Sequence, residues 1–203
     1  RDTNNPRVGE DMRNGQDVTP QMFSDAFGFY GVEFGNWVEQ TKRQSDLNDA
    51  YDALMDMAAI LGIPPKAISL NGELGLAFGA RGSGGINPAS AHYEPSKIVI
   101  NLTKKSGAGS LGHEWWHALD NYFSRSRQRG GDFTSTALDV SLAARKSQYF
   151  NNTSVRSEMI DAFGRVVRAI KDTALKARSS KLDAKRSKVY WTTGEEMSAR
   201  AFE

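Results

Sequence analysis

The chain has 203 residues, of which 39% are hydrophobic and 25% charged, and its formal net charge is +2. This composition is typical of a soluble globular protein, and the length suffices for one sizeable domain or two very small ones. Cysteine is absent, which excludes disulfides and thiolate metal sites and suits a reducing cytoplasm. No apolar run approaches the roughly 20 residues that a membrane-spanning helix needs, so we expect no membrane partner. The polar start, Arg1 to Pro6, lacks an initiator Met, so we expect a segment excised from a longer polypeptide.

The first predicted element is a short helix over Gln21 to Phe27. Thr19 before Pro20 has the pattern of a helix N-cap followed by proline at the first helical position. Residues 27–37 then mix aromatic residues with glycines. Such a mixture is found in groove walls and, more often, in packed connections, and we expect the packed connection.

A second, longer helix is predicted to begin at Ser45 or Asp46 and to end at Leu61. Gly62 and the two prolines that follow it closely would stop this helix. Its apolar residues recur at helical spacing: Leu47, Tyr51, Leu54, Met55, Ala58 and Leu61.

Two strands are predicted next, over Leu74 to Ala80 and over Lys97 to Leu102. The glycine-rich stretch Gly79 to Gly85 begins at the end of the first. It lacks a Gly-Lys-Ser/Thr ending, and no helical pattern follows it. We therefore exclude a loop that binds nucleotide phosphates.

Helical patterns dominate the second half of the chain. They predict helices over about Ser110 to Ser124 and over Glu195 to Glu203, with one long pattern between them. The apolar positions of that long pattern are Ile160, Phe163, Val167, Ile170, Ala174 and Ala177. The predicted fold class is therefore α+β, mainly helical, with a small β-sheet between helical layers and beside the Ser110 to Ser124 helix.

The chemistry is concentrated in the run His113-Glu114-Trp115-Trp116-His117. On an α-helix, residues four apart lie on one face about 6 Å from each other, so both imidazoles can bind one ion. Glu114 lies about 100° round the helix from His113, where a base for a metal-activated water is needed. We predict a zinc peptidase site with His113 and His117 as ligands and Glu114 as general base.

The two faces of this predicted helix differ in character. At about 100° per residue, His117 lies about 40° and Asp120 about 340° from His113. The far side is apolar and carries Leu111, Trp115, Leu119 and Tyr122. Asp120 is predicted to accept a hydrogen bond from an imidazole N–H or to cap nearby backbone, with a solvated surface aspartate as the alternative.

A catalytic zinc usually has three protein ligands, so a third is needed. His92 is the remaining histidine, and the alternative is a carboxylate of the carboxy-terminal helix. We predict Glu196, because its helical face also carries Arg200 and Glu203 as supporting partners. Glu195 and Glu203 remain competitors for the role of ligand.

A resemblance to a known family adds to these inferences. The stretch Gly107 to Tyr122, with its paired tryptophans, resembles the zincin-type domain called large polyvalent protein-associated domain 1. The resemblance covers nearly the whole chain except the basic segment before Tyr190. Further matching stretches are Phe34 to Val38, Leu76 to Gly82, Ala91-His92-Tyr93-Glu94-Pro95, Ile100 to Thr103, and Glu196-Met197 with Ala199 to Glu203.

The resemblance implies a single zincin-like metallopeptidase domain over residues 1–203, as one module of a very large polypeptide of phages or conjugative elements. It implies neighbouring modules as partners and a cytoplasmic location, in a bacterial cell or after delivery by a phage. The carboxy-terminal end is similar to the Glu-x-x-Ala-Asn-x-Phe element of short regulatory metallopeptidases, whose glutamate binds the metal. This similarity favours Glu196, although Arg200 stands where those proteins have Asn.

The predicted reaction is the hydrolysis of a peptide bond in a protein or peptide substrate. Zn²⁺ held by His113, His117 and Glu196 would lower the pKa of a water towards about 7. Glu114 would take the proton from that water and pass it to the leaving amine.

Other residues are candidates for contact with the substrate. Tyr190, His92 and Tyr93 can each donate a hydrogen bond to the oxyanion, although a packed, hydrogen-bonded ring is the commoner role of such residues. The predicted strand from Lys97 to Leu102 is a candidate edge for pairing with an extended peptide.

A basic segment indicates an alternative function. Residues 165–188 contain nine basic residues against Asp172 and Asp183, a net charge of +7 that leaves −5 for the rest of the chain. Such a bias can bind nucleic-acid phosphates. The apolar stripe from Ile160 to Ala177 favours instead a packed basic helical insertion with an ordinary solvated face. A third possibility is a zinc-bound, catalytically silent domain that contacts neighbouring modules.

Overall fold

The computed structural model describes residues 7–35, 40–80, 91–102, 110–125, 133, 135 and 157–203. Within these ranges six α-helices accompany one four-stranded sheet, which confirms a mixed fold of helices and a small sheet. The chain divides into two compact units, Arg1–Trp115 and Trp116–Glu203. None of the helices described combines the length and apolar character that crossing a lipid bilayer requires.

Helix α1, Pro20–Phe27, opens the first unit and confirms the first prediction. The side chain of Thr19 accepts a 3.1 Å hydrogen bond from the backbone N–H of Met22 and so caps the helix. Pro20 occupies the first turn, where its missing N–H costs nothing. The helix ends at Gly28, whose φ of 68° is a left-handed conformation that glycine adopts without strain.

Helix α2, Gln40–Leu61, is longer than predicted. The predicted start at Ser45 or Asp46 was wrong, since the helix already includes both. The apolar stripe begins only at Leu47, but glutamine, lysine and arginine before it are good helix formers and extend the helix without apolar residues. The predicted end at Leu61 is confirmed, with Gly62 at a φ of 64°.

Aromatic rings from α1, α2 and the residues after α1 form much of the first unit's core. The rings of Phe23, Phe27, Phe29 and Tyr51 are all buried, with centroids 5.0–6.2 Å apart in the pairs that touch. The mixed aromatic and glycine stretch is therefore packed at Phe27 and Phe29, whereas Tyr30 is 57% exposed. The part of the stretch after Gly35 lies outside the described residues. A 3-10 helix, Pro65–Ser69, contributes the buried Ile68 to the same core.

The sheet consists of strands β1, β2, β3 and β4 in the order β1-β2-β4-β3. Their bounds are Val32–Phe34, Gly75–Phe78, Ala91–Glu94 and Val99–Leu102. The strands β1 and β4 run parallel to β2, and β3 runs antiparallel to β4. The two predicted strands are confirmed as β2 and β4, whereas β1 and β3 were not predicted. Most of the glycine-rich stretch after β2 lies outside the described residues.

The position of β4 corrects one functional prediction. Because β4 pairs with β2 on one side and β3 on the other, both of its hydrogen-bonding edges are occupied. The prediction that this strand is an edge for an extended substrate was wrong. Its four residues are all buried, as expected for an inner strand.

Helix α3, Leu111–Arg125, contains the point at which the two units divide. The second unit continues with α4, Ser157–Lys171, α5, Ala174–Asp183, and α6, Gly194–Phe202. The helices predicted near 110–124 and 195–203 are thus confirmed.

The long helical pattern between α3 and α6 is interrupted. Thr173 has extended backbone angles, and its hydroxyl donates a 2.7 Å hydrogen bond to the carbonyl of Ile170, which separates α4 from α5. Of the predicted stripe, Phe163, Val167 and Ile170 are buried, but Ala174 and Ala177 are exposed. The apolar stripe therefore ends with α4.

The core of the first unit yields a test of the fold. Leu54 on α2 is 1% exposed, whereas Ile60 on the same helix is 84% exposed. We expect Leu54→Ala to lower the free energy of unfolding by about 2–5 kcal/mol, because it leaves a cavity. Ile60→Ala is the matched control and should change it by less than about 0.5 kcal/mol. Urea unfolding followed by circular dichroism measures both, and equal effects would contradict this packing of α2.

Candidate metal centre

Helix α3 carries both histidines of the motif on one face. His113 and His117 lie one turn apart and are half-buried, and Glu114 between them is buried. On the opposite face Leu111 and Trp115 are buried, as predicted. The indole N–H of Trp115 donates a 2.9 Å hydrogen bond to the carbonyl of Ile68, which fixes this face in the core of the first unit.

Glu196 brings the third donor from helix α6. It lies in the first turn of α6, where a carboxylate is favoured by the positive end of the helix dipole, and it is 3% exposed. Its Oε2 lies 3.7 Å from Nε2 of His117. One ligand atom from each of His113, His117 and Glu196 lies within 4.8 Å of the other two. His117 and Glu196 belong to the second unit, and His113 lies one turn earlier on the continuous helix α3.

These three residues fit a zinc ion. Two imidazoles and one carboxylate are a donor set of catalytic zinc sites, and they leave one position open. With bonds of about 2.0–2.1 Å, ligands of a tetrahedral zinc lie about 3.4 Å from each other. Separations of 3.7 Å and up to 4.8 Å can therefore close by small side-chain rotations.

The two competing carboxylates are placed differently. Glu195 is half-buried and Glu203 is exposed at the end of α6, and neither belongs to the group of three. The preference for Glu196 came from the polar face that it shares with Arg200. In the structure Glu196 is the one of the three that is buried beside His117.

Trp116 connects α3 to α6 next to this group. Its indole N–H donates a 2.8 Å hydrogen bond to the hydroxyl of Ser198, and its ring stacks on Phe202 with 5.0 Å between centroids. Phe163 of α4 packs on the same indole at 5.5 Å. The paired tryptophans were predicted only as part of a family resemblance, and the contact of Trp116 with the helix of Glu196 was not predicted.

Asp120 is fully buried, so the alternative of a solvated surface aspartate was wrong. Its carboxylate accepts a 2.9 Å hydrogen bond from the backbone N–H of Ser135 and a short one from the hydroxyl of the same residue. This agrees with the predicted role as a cap on nearby backbone. Phe133, two residues earlier, meets the ring of His117 edge-on at 5.7 Å. No periodicity linked Phe133 or Ser135 to the motif.

The remaining candidates of the first unit lie on strand β3. His92 Nε2 is 3.3 Å from Glu94 Oε1, and the residue pairs with Asn101 across the strands. Tyr93 is half-buried and pairs with Ile100. Neither belongs to the group of His113, His117 and Glu196.

Two further candidates, Arg200 and Tyr190, lie in the second unit. The guanidinium of Arg200 lies 4.9 Å from the ring centre of Trp191 and donates a 3.1 Å hydrogen bond to Ser179. Its contacts are thus with these two residues rather than with Glu196, because a cation over an indole face is well stabilised. Tyr190 is 42% exposed, with the guanidinium of Arg186 5.0 Å from its ring centre.

Asp183 anchors the segment that leads into α6. Its carboxylate accepts hydrogen bonds of 2.7–3.0 Å from the backbone N–H groups of Tyr190, Trp191 and Thr192 and from the hydroxyl of Thr192. Partial burial raises the pKa of Asp183, but these four donors lower it more, and the pKa falls to about 2. The start of α6, and with it Glu196, is tied to the end of α5.

Comparisons with known proteins cover a small part of the chain. The model of one family, described as large polyvalent protein-associated domain 5, matches residues 1–26. No curated protein and no solved structure matches the chain. The match indicates the setting of large polyvalent proteins, but its family differs from the domain 1 that the motif resembles. The likeness to domain 1 stays a prediction.

The anchor at Asp183 yields a pH-dependent prediction. Its folded pKa of about 2 lies below the unfolded value of about 3.9, so its ionised form adds stability above about pH 5. This contribution is lost as the pH falls towards about 2. We therefore expect Asp183→Asn to be less stable than wild type at neutral pH, with the difference shrinking on acidification. Thermal unfolding between pH 7 and pH 2 measures this, with the exposed Asp172→Asn as control; a constant difference would refute the anchor.

Proposed function

We propose that this chain is a zinc-dependent peptidase domain, with His113, His117 and Glu196 as metal ligands and Glu114 as general base. The observation that carries the proposal is the convergence of donors from two helices. One ligand atom from each of the three lies within 4.8 Å of the others, although the helices are far apart in the sequence. A zincin-like fold and membership of domain 1 are parts of the same proposal.

The donor set favours zinc over harder cations. Imidazole nitrogens suit zinc, copper, iron and nickel, whereas magnesium and calcium prefer oxygen. When bound, zinc supplies Lewis acidity and lowers the pKa of water at such sites towards about 7.

Glu114 performs the proton transfer in this proposal. It directly follows His113 on α3, about 100° round the helix, and it is buried, which supports a role beside the bound ion rather than as a ligand. It accepts a proton from the attacking water as the water adds to the peptide carbonyl. It then delivers that proton to the departing amine, so the carboxylate is regenerated when the C–N bond breaks.

The simplest rival is a structural pair of His117 and Glu196 that binds no metal. The 3.7 Å between their nearest atoms is longer than a good N–H···O hydrogen bond, which favours a shared cation over a direct bond. The match to domain 5 fits a module in a longer protein, so we propose neighbouring modules among the peptide substrates.

The first test is metal content. We expect wild type to retain one zinc per chain after dialysis, measured by elemental analysis. Glu196→Gln should lower zinc affinity by more than about 100-fold, since even loss of an outer partner costs about 10–100-fold. The matched control is its neighbour Glu195→Gln, which should retain zinc. His113→Ala and His117→Ala should lose zinc, while His92→Ala should not. If wild type that was purified in the presence of zinc contains no zinc after dialysis, the proposed metal centre is refuted.

The second test is catalysis. Glu114→Gln should retain zinc and cleave fluorescein-labelled denatured casein about 10²–10⁴-fold more slowly, because the variant has no base to accept the proton. Glu195→Gln serves as the control with unchanged activity. Equal rates for wild type and Glu114→Gln would refute Glu114 as the base. A wild type that binds zinc but does not cleave casein or its neighbouring modules would identify a silent, metal-bound domain.

A further inference from the structure

A basic surface covers the last half of α4, helix α5 and the turn that follows. We define it by eight residues: Arg165, Arg168, Lys176, Arg178, Lys181, Lys185, Arg186 and Lys188. All are exposed except Lys176, which is half-exposed. The segment 165–188 has a net charge of +7, and all of it lies within the second unit.

The basic surface lacks direct ion pairs among the residues that the structure describes. In the part of the chain that the structure describes, none of the eight residues forms an ion pair with a carboxylate. Arginines of the first unit behave differently, since Arg7 pairs with Asp56 at 2.6 Å and Arg13 with Asp52 at 2.9 Å. Asp183 lies within the basic segment, but its carboxylate already accepts four hydrogen bonds from residues 190–192. Accumulated like charge destabilises a folded chain, and it attracts polyanions that would neutralise it.

The packing of α5 does not fit the usual reason for a charged helix face, which is that the opposite face is apolar and buried. The sequence favoured a helix with an apolar stripe inside and a charged face outside. The stripe ends at Ile170, and Ser179 is the buried residue of α5. The cations on α5 are therefore not the outer side of an apolar helix.

An exposed aromatic ring lies within the same surface. Tyr190 is 42% exposed, although the guanidinium of Arg186 lies 5.0 Å from its ring centre and the ring of Trp191 meets it edge-on at 4.9 Å. The preceding Val189 is 68% exposed. The backbone of Tyr190 is held by Asp183, so the ring is presented from a fixed segment. Cations beside an accessible aromatic ring are the combination that single-stranded nucleic acids use, with phosphates on the cations and a base stacked on the ring.

We propose that the basic surface binds single-stranded nucleic acid, with the phosphate backbone along α5 and one unpaired base on Tyr190. A base within a duplex is already stacked and paired, so the exposed ring favours a single strand. This proposal is independent of the metal centre, because the two share no residue.

Fluorescence anisotropy of the full chain with a labelled oligothymidylate of about 20 nucleotides tests the proposal. For about four phosphate contacts, affinity should fall about 50-fold between about 50 and 200 mM salt. The double variant Lys181→Glu with Lys185→Glu should abolish measurable binding. Its matched control, Lys66→Glu with Lys97→Glu, makes the same charge change at exposed lysines of the first unit and should bind as wild type. Circular dichroism and thermal unfolding check that both variants fold.

Tyr190 separates stacking from charge alone. Tyr190→Ala should weaken binding by about fivefold or more with an unchanged salt slope, whereas Tyr190→Phe should retain affinity. No binding, binding that ignores salt, or equal loss in the Lys66 and Lys97 control would overturn the proposal. Equal affinity for a duplex, together with an unaffected Tyr190→Ala, would overturn the single-stranded form. Complete competition by polyglutamate at matched charge would identify an acidic protein segment as the partner instead.

Discussion

The indole of Trp116 holds the helix of Glu196 against the helix of His117, and the geometry of the candidate centre depends on this contact. Its hydrogen bond to Ser198 and its stacking on Phe202 fix α6 at two points one turn apart. Glu196 lies just before them on the same helix, so this packing helps to position its carboxylate. Ligands that are already positioned lose less conformational entropy when a cation binds, which favours affinity.

The placement of His113, Glu114 and His117 on one helix was predictable because a helix fixes the relation of residues four apart. Glu196 was preferred from its helical face and a family similarity, but Glu195 and Glu203 stayed competitors because helix periodicity alone does not show which carboxylate is buried. What distinguishes it is burial next to His117, which arises from contacts between helices that are distant in the sequence. The contacts of Phe133 with His117 and of Ser135 with Asp120 were not predicted for the same reason. Arg200 was predicted to support Glu196, but the sequence pattern did not predict that its guanidinium would lie over the ring of Trp191.

The fold follows the same division between local and distant information. The capping of α1 by Thr19 and the stop of α2 at Gly62 are local and were predicted. The strand β1 was missed because it has three residues and its pairing partner β2 lies far along the chain. The strand β3 was missed because the four residues Ala91–Glu94 contain no apolar run, although its partner β4 follows closely. The break between α4 and α5 was missed because Ala174 and Ala177 continue the apolar spacing, although alanine buries too little surface to fix a helix in the core.

The carboxylate of Asp183 closes the base of the loop from Ala184 to Val189, because it joins the end of α5 to the residues before α6. The conformation of α6 is therefore insulated from the composition of that loop. Related chains can gain, lose or rearrange residues there without displacing Glu196. The electrostatic character of this side of the domain and the chemistry of its candidate centre are thus free to diverge separately.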